Sequence, residues 1–358
     1  MRKIAVLIGV LIGMISCSTH ETKDHEHPTL GDSNKLEVET YRAVGKSRPA
    51  QAALPACVRD PVRCNKDYLA FAEREQDHAH PVADCQALYA RLLSQWELLP
   101  SSEPRKERTS GLRGQLLDAL NISFLLESDT SGVRAPAPQP LVLKERDMGS
   151  YQLIDAVLRD PKVGDIPLLM ALPQGKGPFP VVLALPGHSE APSTVLKSLP
   201  ADLVTQQGMA LLSIGMRAYD SQSSEHSAAM ALLCRGFSLM GLRVYEALVA
   251  LEFIDTHPNL TSDAVGLVGH SGGSTTFNLM VWLTDRPRAL ITDLKADYFN
   301  FHEFEERHYI LDETHPRLHE LAPHINKLSS LPLAVLEVPY GAPGGPVPLL
   351  NFLRTQLQ

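Results

Sequence analysis

Gly269-His270-Ser271-Gly272-Gly273 lies between an apolar run, residues 264–268, and a helix-compatible segment, residues 274–283. A strand before and a helix after form the context in which G-x-S-x-G makes a sharp turn with the serine at its tip, a nucleophile elbow. Glycines are needed beside Ser271 because a Cβ there would strike the neighbouring strand and helix. The alternative, a Gly/Ser-rich loop without chemistry, is disfavoured by this strand–turn–helix context.

Outward from this turn, apolar runs of strand length alternate with segments of helical periodicity. Residues 181–185 are continuously apolar, as expected of a strand buried on both faces. Residues 237–257 are apolar nearly all round, which predicts a helix sandwiched between the sheet and another layer. Further predicted elements are a hairpin at 151–158 and 166–172, a helix at 192–207, and strands at 209–214, 289–293 and 333–338. The alternation predicts an α/β fold with a mostly parallel sheet and helices on both faces.

The N-terminus has the pattern of a secretion signal. Arg2 and Lys3 precede eleven apolar or glycine residues, 4–14, which are too few for a membrane-spanning helix. Met14-Ile15-Ser16-Cys17 resembles a bacterial lipobox, in which Cys17 becomes the lipidated first residue. We therefore expect a protein of the bacterial cell envelope that is lipid-anchored on the periplasmic side or at the cell surface. The alternative is ordinary cleavage that leaves Cys17 as a free thiol.

Composition changes along the chain divide it into four parts. Residues 1–16 are predicted to be a signal peptide, and the polar residues 17–55 are predicted to be a lipid-anchored flexible tether. Residues 56–140 contain helical patterns, one of them at 112–126, and end in a stiff proline-rich linker. Residues 141–358 are the α/β domain.

Charge and cysteine content exclude some classes of partner and indicate the compartment. The 358 residues carry a net charge of −8, and an acidic chain is a poor candidate for binding nucleic acid. In an oxidising compartment, a disulfide is expected among Cys57, Cys64 and Cys85, although their pairing stays open. Cys234 is expected to be a buried free thiol. No residue pattern fixes a metal-coordination geometry.

Three stretches resemble the α/β-hydrolase superfamily. Residues 179–188 resemble its strand and H-G/G-H loop, residues 245–254 resemble the helix before its elbow strand, and residues 265–273 resemble the elbow itself. The dienelactone-hydrolase and acetyl-xylan-esterase-like branch is the most similar. The resemblance implies an α/β-hydrolase fold over about residues 141–340, preceded by the small helical segment, and an enzyme that needs no cofactor. It implies a substrate that is a small-molecule or polysaccharide-linked ester.

The resemblance also implies a mechanism. Ser271 would attack an ester or other acyl carbonyl and form an acyl-enzyme. The oxyanion would be held by the backbone N–H of Gly272 and by one from the loop 187–189, for which His188 is the candidate. His270 occupies the variable position of the elbow and is expected to be a packed side chain rather than the base.

The usual positions of the triad acid and histidine are empty. Relatives place the acid after the strand that corresponds to 333–338, yet residues 339–345 contain no carboxylate, and residues 346–358 contain no histidine. Asp293 and Asp297 follow the preceding strand, a position that some hydrolases use for the acid. The segment that follows, residues 299–326, is an excursion from the strand–helix pattern and contains five histidines: His302, His308, His315, His319 and His324.

We expect His315 to be the base and Asp297 to orient it, because Asp312 and Glu313 favour a protonated His315. His308 is the second candidate. If none of the five histidines serves, His188, His226 or a partner chain remains.

Two functions of different classes follow. The first is a serine hydrolase, acting on carboxylic esters or related acyl groups. The second is a catalytically inactive hydrolase-fold lipoprotein that binds or scaffolds, since fold does not fix function. The intact elbow and loop favour the first, and the empty terminal positions favour the second.

Overall fold

An eight-stranded mixed sheet lies at the centre of the structure, a computed structural model that describes residues 71–72, 74–79, 111–129, 132–188, 190–217, 228–229, 232, 235–294, 316–339 and 345–358. The elements follow one another as α1 (Leu112–Leu120), β1 (Glu127–Asp129), β2 (Gly132–Arg134), β3 (Gln139–Asp147), β4 (Tyr151–Asp160), β5 (Gly164–Pro173), β6 (Phe179–Leu185), α2 (Val195–Ser198), α3 (Ala201–Gln206), β7 (Ala210–Ile214), α4 (Leu239–Thr256), β8 (Leu260–Gly269), α5 (Gly272–Met280), β9 (Ala289–Thr292), α6 (Pro316–Ile325), β10 (Ala334–Glu337) and α7 (Pro346–Leu357). Short 3₁₀ turns lie at Gln76–His78, Ser123–Leu125, Pro192–Thr194 and Leu328–Ser330.

The strand order is β10-β9-β8-β6-β7-β5-β4-β3. Strands β7, β6, β8, β9 and β10 pair in parallel, whereas β3, β4 and β5 form an antiparallel meander that joins the sheet through β5 and β7. Strands β1 and β2 form a separate hairpin. The parallel strands alternate with helices, and a G-x-S-x-G turn joins β8 to α5. This is an α/β-hydrolase fold, and the predicted fold class is confirmed.

Helices cover both faces of the sheet. On β6, Val181, Leu183 and Leu185 belong to one buried cluster, and Val182 and Ala184 belong to the other. Helices α4 and α5 pack on the first face, and α3 and α7 pack on the second. The alternation along β6 explains its uninterrupted apolar sequence, because both of its faces are covered.

Helix α4 is the most deeply buried helix among the described residues. Every residue from Leu239 to Ile254 is buried, and the helix contacts β8 on one side and α1 and α5 on others. Ser238 caps its N-terminus by accepting a hydrogen bond from Gly241 N–H at 3.1 Å. The predicted sandwiching of this segment is confirmed.

The described part of the segment before residue 141 shares the core of the α/β domain. Leu116 and Leu120 of α1 are fully buried in the cluster that contains α4. Phe71 and Phe124 pack against Phe237 in edge-on and tilted arrangements, with ring centroids 5.3 and 6.2 Å from it. These residues therefore complete the face of the sheet that α4 covers.

Ion pairs join the β1–β2 hairpin to α4. Arg134 contacts Glu252 at 2.6 Å and Asp255 at 2.5 Å, and Arg286 contacts the same two carboxylates at 2.6 Å each. The Glu252 side chain is only 5% exposed, and the two guanidinium groups provide the partners that a buried carboxylate needs.

Three differences from the sequence-based element boundaries have a local cause. The helix predicted at 192–207 is divided into a 3₁₀ turn, α2 and α3, because Pro200 has no N–H and disfavours helical geometry at Leu199 (φ −126°, ψ 81°). The helix predicted at 112–126 ends at Leu120, with Asn121 left-handed at φ 51°. Strand β3 begins at Gln139, within the predicted linker, and its proline is tolerated because β3 is an edge strand.

Several predictions concern parts of the chain outside the described residues. These are the signal peptide 1–16, the tether 17–55 with Cys17, and the cysteines Cys57, Cys64, Cys85 and Cys234. They stay predictions. Among the described residues, no helix combines the length and apolar character needed to cross a membrane.

Candidate active site

Ser271 occupies the tip of a sharp turn between β8 and α5. Strand β8 ends at Gly269, α5 begins at Gly272, and Ser271 has φ 49° and ψ −118°. A side chain is strained in this region of positive φ, which ordinarily favours glycine. The backbone therefore holds Ser271 in the geometry expected of a nucleophile elbow.

The two flanking glycines are required by close backbone approaches. A Cβ at Gly269 would lie 2.5 Å from Ser274 Cα in α5, and a Cβ at Gly273 would lie 2.5 Å from the Leu185 carbonyl oxygen at the end of β6. The first approach is to the helix and the second to the neighbouring strand. The predicted reason for both glycines is thus confirmed.

His188 lies beside the serine on the loop that follows β6. Its Nδ1 is 3.4 Å from Ser271 Oγ, and both groups are partly buried. The parallel register pairs Leu185 with Gly269, so the loop after β6 and the turn after β8 leave the sheet at the same edge. In the tautomer protonated at Nε2, His188 Nδ1 accepts a hydrogen bond from the Ser271 hydroxyl.

The loop that carries His188 is closed by Glu190. The Gly187 N–H donates to Glu190 Oε2 at 2.7 Å, and the Glu190 N–H donates to the Gly187 carbonyl at 3.2 Å. The Gly187 N–H is therefore engaged within the loop. Gly272 is the first residue of α5, where helix geometry leaves the N–H without an intrahelical acceptor. The N–H groups of Gly272 and His188 are accordingly the candidate oxyanion donors.

Asp293 supports the turn from the end of β9. Its side chain is 6% exposed. It accepts hydrogen bonds from the Ser271 N–H at 2.9 Å and from Ser274 Oγ at 2.7 Å, both at Oδ1. His270 Nδ1 lies 2.6 Å from Oδ2. A buried carboxylate thus binds the strained serine backbone, the first turn of α5 and the imidazole next to the nucleophile.

The surroundings of His270 favour its protonated form. Its Nε2 is 4.0 Å from Glu190 Oε1, and 44% of its side chain is exposed. The hydrogen bond with Asp293 raises the pKa of His270 above its ordinary value. The negative charges of Asp293 and Glu190 act in the same direction, while partial burial and the nearby His188 oppose the rise.

A buried ion pair lies close to this sheet edge, after β7. Arg217 contacts Glu246 of α4, which is fully buried, and the Arg243 guanidinium donates to the Arg217 carbonyl at 2.9 Å. Burial raises the pKa of Glu246 to about 7, although Arg217 and Arg243 both lower it. Arg217 lies in the connection between β7 and α4, three residues after β7 ends, and its side chain is 5% exposed, so Glu246 anchors this connection to the core.

The structure brings together part of the predicted set. Ser271, Gly272 and His188 meet at the carboxyl ends of β6 and β8. Asp297 and His315 lie outside the described residues, as do His302, His308 and His226. The His319 side chain also lies outside them, and His324 is exposed on α6. The proposed roles of Asp297 and His315 therefore stay predictions.

Two contacts at the site were not anticipated from the sequence. Asp293 meets His270 because β8 and β9 pair in parallel with Val268 opposite Ile291, and the same register continued by two residues sets Asp293 opposite His270. Glu190 closes the loop after β6, and its only sequence signal is a carboxylate two residues after the histidine of G-H-x-E. The described residues contain no group of three or more His, Cys, Asp or Glu side chains that is arranged to hold a metal ion.

The end of the chain takes a form that the strand pattern did not predict. Helix α7 follows β10 and packs on the sheet, where Leu353 and Leu357 fill the space above Gly266. Pro346 lies at the start of the helix, where a missing N–H costs nothing. Residues 338–358 contain no His, Asp or Glu, so this region supplies neither a triad histidine nor a triad acid.

Comparison with known proteins yields structural likenesses only. No protein-family model matches the chain, and no curated protein matches it. A candidate acetyl xylan esterase from Bacteroides fragilis aligns over 72% of this chain and 83% of its own, with 14% identity and a TM-score of 0.47.

Two further solved structures give similar values. An acetyl xylan esterase from Paenibacillus sp. R4 aligns over 79% of this chain and 98% of its own, with 12% identity and a TM-score of 0.44. A glucuronoyl esterase from Solibacter usitatus aligns over 62% and 68%, with 13% identity and a TM-score of 0.41. These structural neighbours are esterases, but at this level of likeness their activities carry no argument about this chain.

Proposed function

We propose that the protein is a serine hydrolase that cleaves carboxylic esters or related acyl compounds through an acyl-enzyme on Ser271. One observation carries the proposal: Ser271, strained at φ 49°, presents its Oγ 3.4 Å from His188 Nδ1. Strain of this kind persists where surrounding structure holds it, and Asp293 supplies a buried acceptor for the Ser271 N–H. A nucleophilic hydroxyl beside an imidazole is the arrangement needed for acyl transfer.

The first half of the reaction forms the acyl-enzyme. Ser271 Oγ bonds to the substrate carbonyl carbon while its proton passes to His188 Nδ1. The carbonyl oxygen becomes an oxyanion and accepts hydrogen bonds from the N–H groups of Gly272 and His188. The bond to the leaving alcohol then breaks, and its oxygen takes the proton from His188 Nδ1.

The second half regenerates the enzyme. A water molecule gives a proton to His188 Nδ1 as its oxygen bonds to the acyl carbon. Collapse of this second intermediate breaks the bond to Ser271 Oγ, which recovers the proton, and releases the carboxylic acid. Both halves use the same oxyanion donors.

Two histidines are candidates for the base. His188 is supported by its distance from Ser271. His315, with Asp297 as its orienter, rests on the acidic residues beside it in the sequence and lies outside the described residues. We take His188 as the base, because a base must reach the proton it removes.

The proposal is tested by hydrolysis of p-nitrophenyl acetate. Ser271→Ala should abolish turnover above the uncatalysed rate. Alanine substitutions of His188 and of the excursion histidines, His302, His308, His315, His319 and His324, should give one severe loss, at His188, of about 100-fold or more, and mild losses elsewhere. A single severe loss at His315 would overturn the assignment of His188 and support the pair His315–Asp297. Undiminished turnover in Ser271→Ala would refute the serine mechanism.

The second candidate function is that of a catalytically inactive hydrolase-fold binding or scaffold protein. The observation that favours it is the absence of His, Asp and Glu from residues 338–358, where relatives of this fold keep a triad histidine and often the acid. No turnover of short-chain esters by folded protein, together with no reaction of Ser271 with an acylating probe, would favour this function over the first.

Localisation and substrate class extend the proposal. We propose that the protein is anchored in the bacterial cell envelope by lipid on Cys17, on the basis of the signal-like residues 1–16 and the lipobox-like end of that segment. The substrate would then be a small-molecule or polysaccharide-linked ester that meets the enzyme outside the cytoplasm.

A further inference from the structure

The loop that carries His188 is shaped by one carboxylate. Glu190 accepts the Gly187 N–H at 2.7 Å through Oε2, and its own N–H returns a bond to the Gly187 carbonyl. These reciprocal bonds close the loop around His188, so Glu190 holds the backbone that carries the His188 ring. The second carboxylate oxygen, Oε1, remains directed toward the elbow, 4.0 Å from His270 Nε2.

On the elbow, His270 faces the Glu190 carboxylate. His270 is fixed on its Nδ1 side by Asp293 at 2.6 Å, and Asp293 is itself held by the Ser271 N–H and Ser274 Oγ. The ring also lies against the loop backbone, because a Cβ built at Gly187 would come 2.8 Å from His270 Cδ2. His270 thus lies between the elbow and the loop, and each of its ring nitrogens faces a carboxylate.

We propose that protonated His270 bridges Asp293 and Glu190, and so acts as a positioning residue that holds the His188 loop against Ser271. An imidazolium carries N–H groups on both nitrogens and can donate to both carboxylates. A neutral imidazole that keeps its proton at Nδ1 for Asp293 turns a lone pair toward Glu190, which the carboxylate repels. The bridge therefore weakens when His270 loses its proton.

The charges around His270 determine the pH at which it loses its proton. Asp293 and Glu190 favour the protonated ring, and His188 disfavours it. Because Asp293 raises the pKa of His270, the bridge persists at pH values above those at which an ordinary histidine deprotonates. Activity should then fall at alkaline pH as His270 deprotonates and the bridge weakens.

This inference rests on the proposed function for its kinetic test, and an NMR titration tests it independently of activity. We expect the His270 ring signals of the full chain to titrate with a pKa above the ordinary value. Glu190→Gln should lower this pKa, because glutamine keeps an acceptor for the Gly187 N–H but removes the charge. His257, whose pKa is lowered by burial at the end of α4, is the matched internal control and should titrate unchanged.

The kinetic test uses the pH dependence of kcat/KM for p-nitrophenyl acetate. His270→Asn keeps a donor nitrogen for Asp293 but has no second nitrogen on the side that faces Glu190. It should lower kcat about 10-fold and remove the alkaline limb of the profile. In Glu190→Gln, the alkaline limb should move to lower pH with a similar loss in kcat and little change in KM.

Two results would overturn the bridge. One is an unchanged His270 titration in Glu190→Gln, and the other is an alkaline limb that persists in His270→Asn. If the wild-type protein hydrolyses no ester, the proposed function fails, but the NMR titration still decides whether Glu190 and His270 are coupled.

Discussion

Because the backbone at Ser271 is strained, we predict that a glycine substitution there leaves the protein more stable than an alanine substitution does, the reverse of the usual order. At φ 49° and ψ −118°, any residue with a Cβ is held in a region that costs about 1–3 kcal/mol, and glycine relieves this cost. Glycine in turn loses more conformational entropy on folding than alanine does, by about 0.5–1 kcal/mol. Ser271→Gly should therefore be more stable than Ser271→Ala by about 1 kcal/mol.

This difference can be measured because both variants remove the nucleophile. Both also lose the contact between Oγ and His188, so that loss cancels in the comparison. For a domain of this size, about 1 kcal/mol corresponds to a shift in Tm of about 2–4 °C. Thermal unfolding followed by circular dichroism, with urea titration as a second assay, measures it.

Ser198 provides the matched control. It is the last residue of α2, whose backbone is helical, so glycine there should be less stable than alanine by about 0.5–1 kcal/mol. The glycine variant should thus be the less stable of the two at position 198 and the more stable of the two at position 271. If Ser271→Gly were less stable than Ser271→Ala, as at position 198, the elbow would carry no strain and the reasoning would be refuted.

Three further predictions concern the elbow, a buried carboxylate and the anchor. Gly273→Ala should lower the free energy of unfolding by about 1–3 kcal/mol, because its Cβ meets the Leu185 carbonyl at 2.5 Å, and a wild-type urea midpoint would contradict this. Because the pKa of Glu246 rises from 4.5 to about 7 on folding, its contribution to stability is fully present below pH 4.5 and is lost as pH rises through 7, by about 3 kcal/mol. Between pH 4.5 and about 7, the unfolding free energy of Glu246→Gln should therefore depend less steeply on pH than that of the wild type. An equal slope in the variant and the wild type would contradict the burial effect. Cys17→Ser should move the protein from the membrane fraction to the soluble envelope or secreted fraction, and continued fractionation with membranes would rule out the acyl anchor.

The sequence was sufficient for the elements whose signal is local. Residues 181–185 form a buried strand because a strand covered on both faces must be apolar throughout, and residues 237–257 contain α4 for the corresponding reason in a helix. The elbow was predictable because its glycines are imposed by contacts that the strand–turn–helix geometry always creates. The division of the helix at 192–207 follows from Pro200, whose effect the apolar spacing concealed.

The candidate site was predictable only in part, because its remaining members are joined by long-range register. Asp293 reaches His270 through the pairing of β8 with β9, and no local pattern states which residues of two strands lie opposite. The sequence favours Asp297 over Asp293 as the orienter because Asp293 lies nearer the interior of the predicted strand, but position along the chain says little about proximity once parallel strands pair. His188 was predicted for its backbone N–H, and its ring reaches Ser271 from an irregular loop that Glu190 closes and that no periodic pattern describes.

The most direct test of the central claim is the rate at which a fluorophosphonate probe labels Ser271. Labelling requires an activated hydroxyl rather than one that is only exposed. We expect peptide mapping of the folded wild-type protein at neutral pH to find one adduct, on Ser271, and we expect His188→Gln to slow its formation by about 100-fold or more. An absence of labelling, labelling at another residue, or an equal rate in His188→Gln would contradict a Ser271 nucleophile activated by His188.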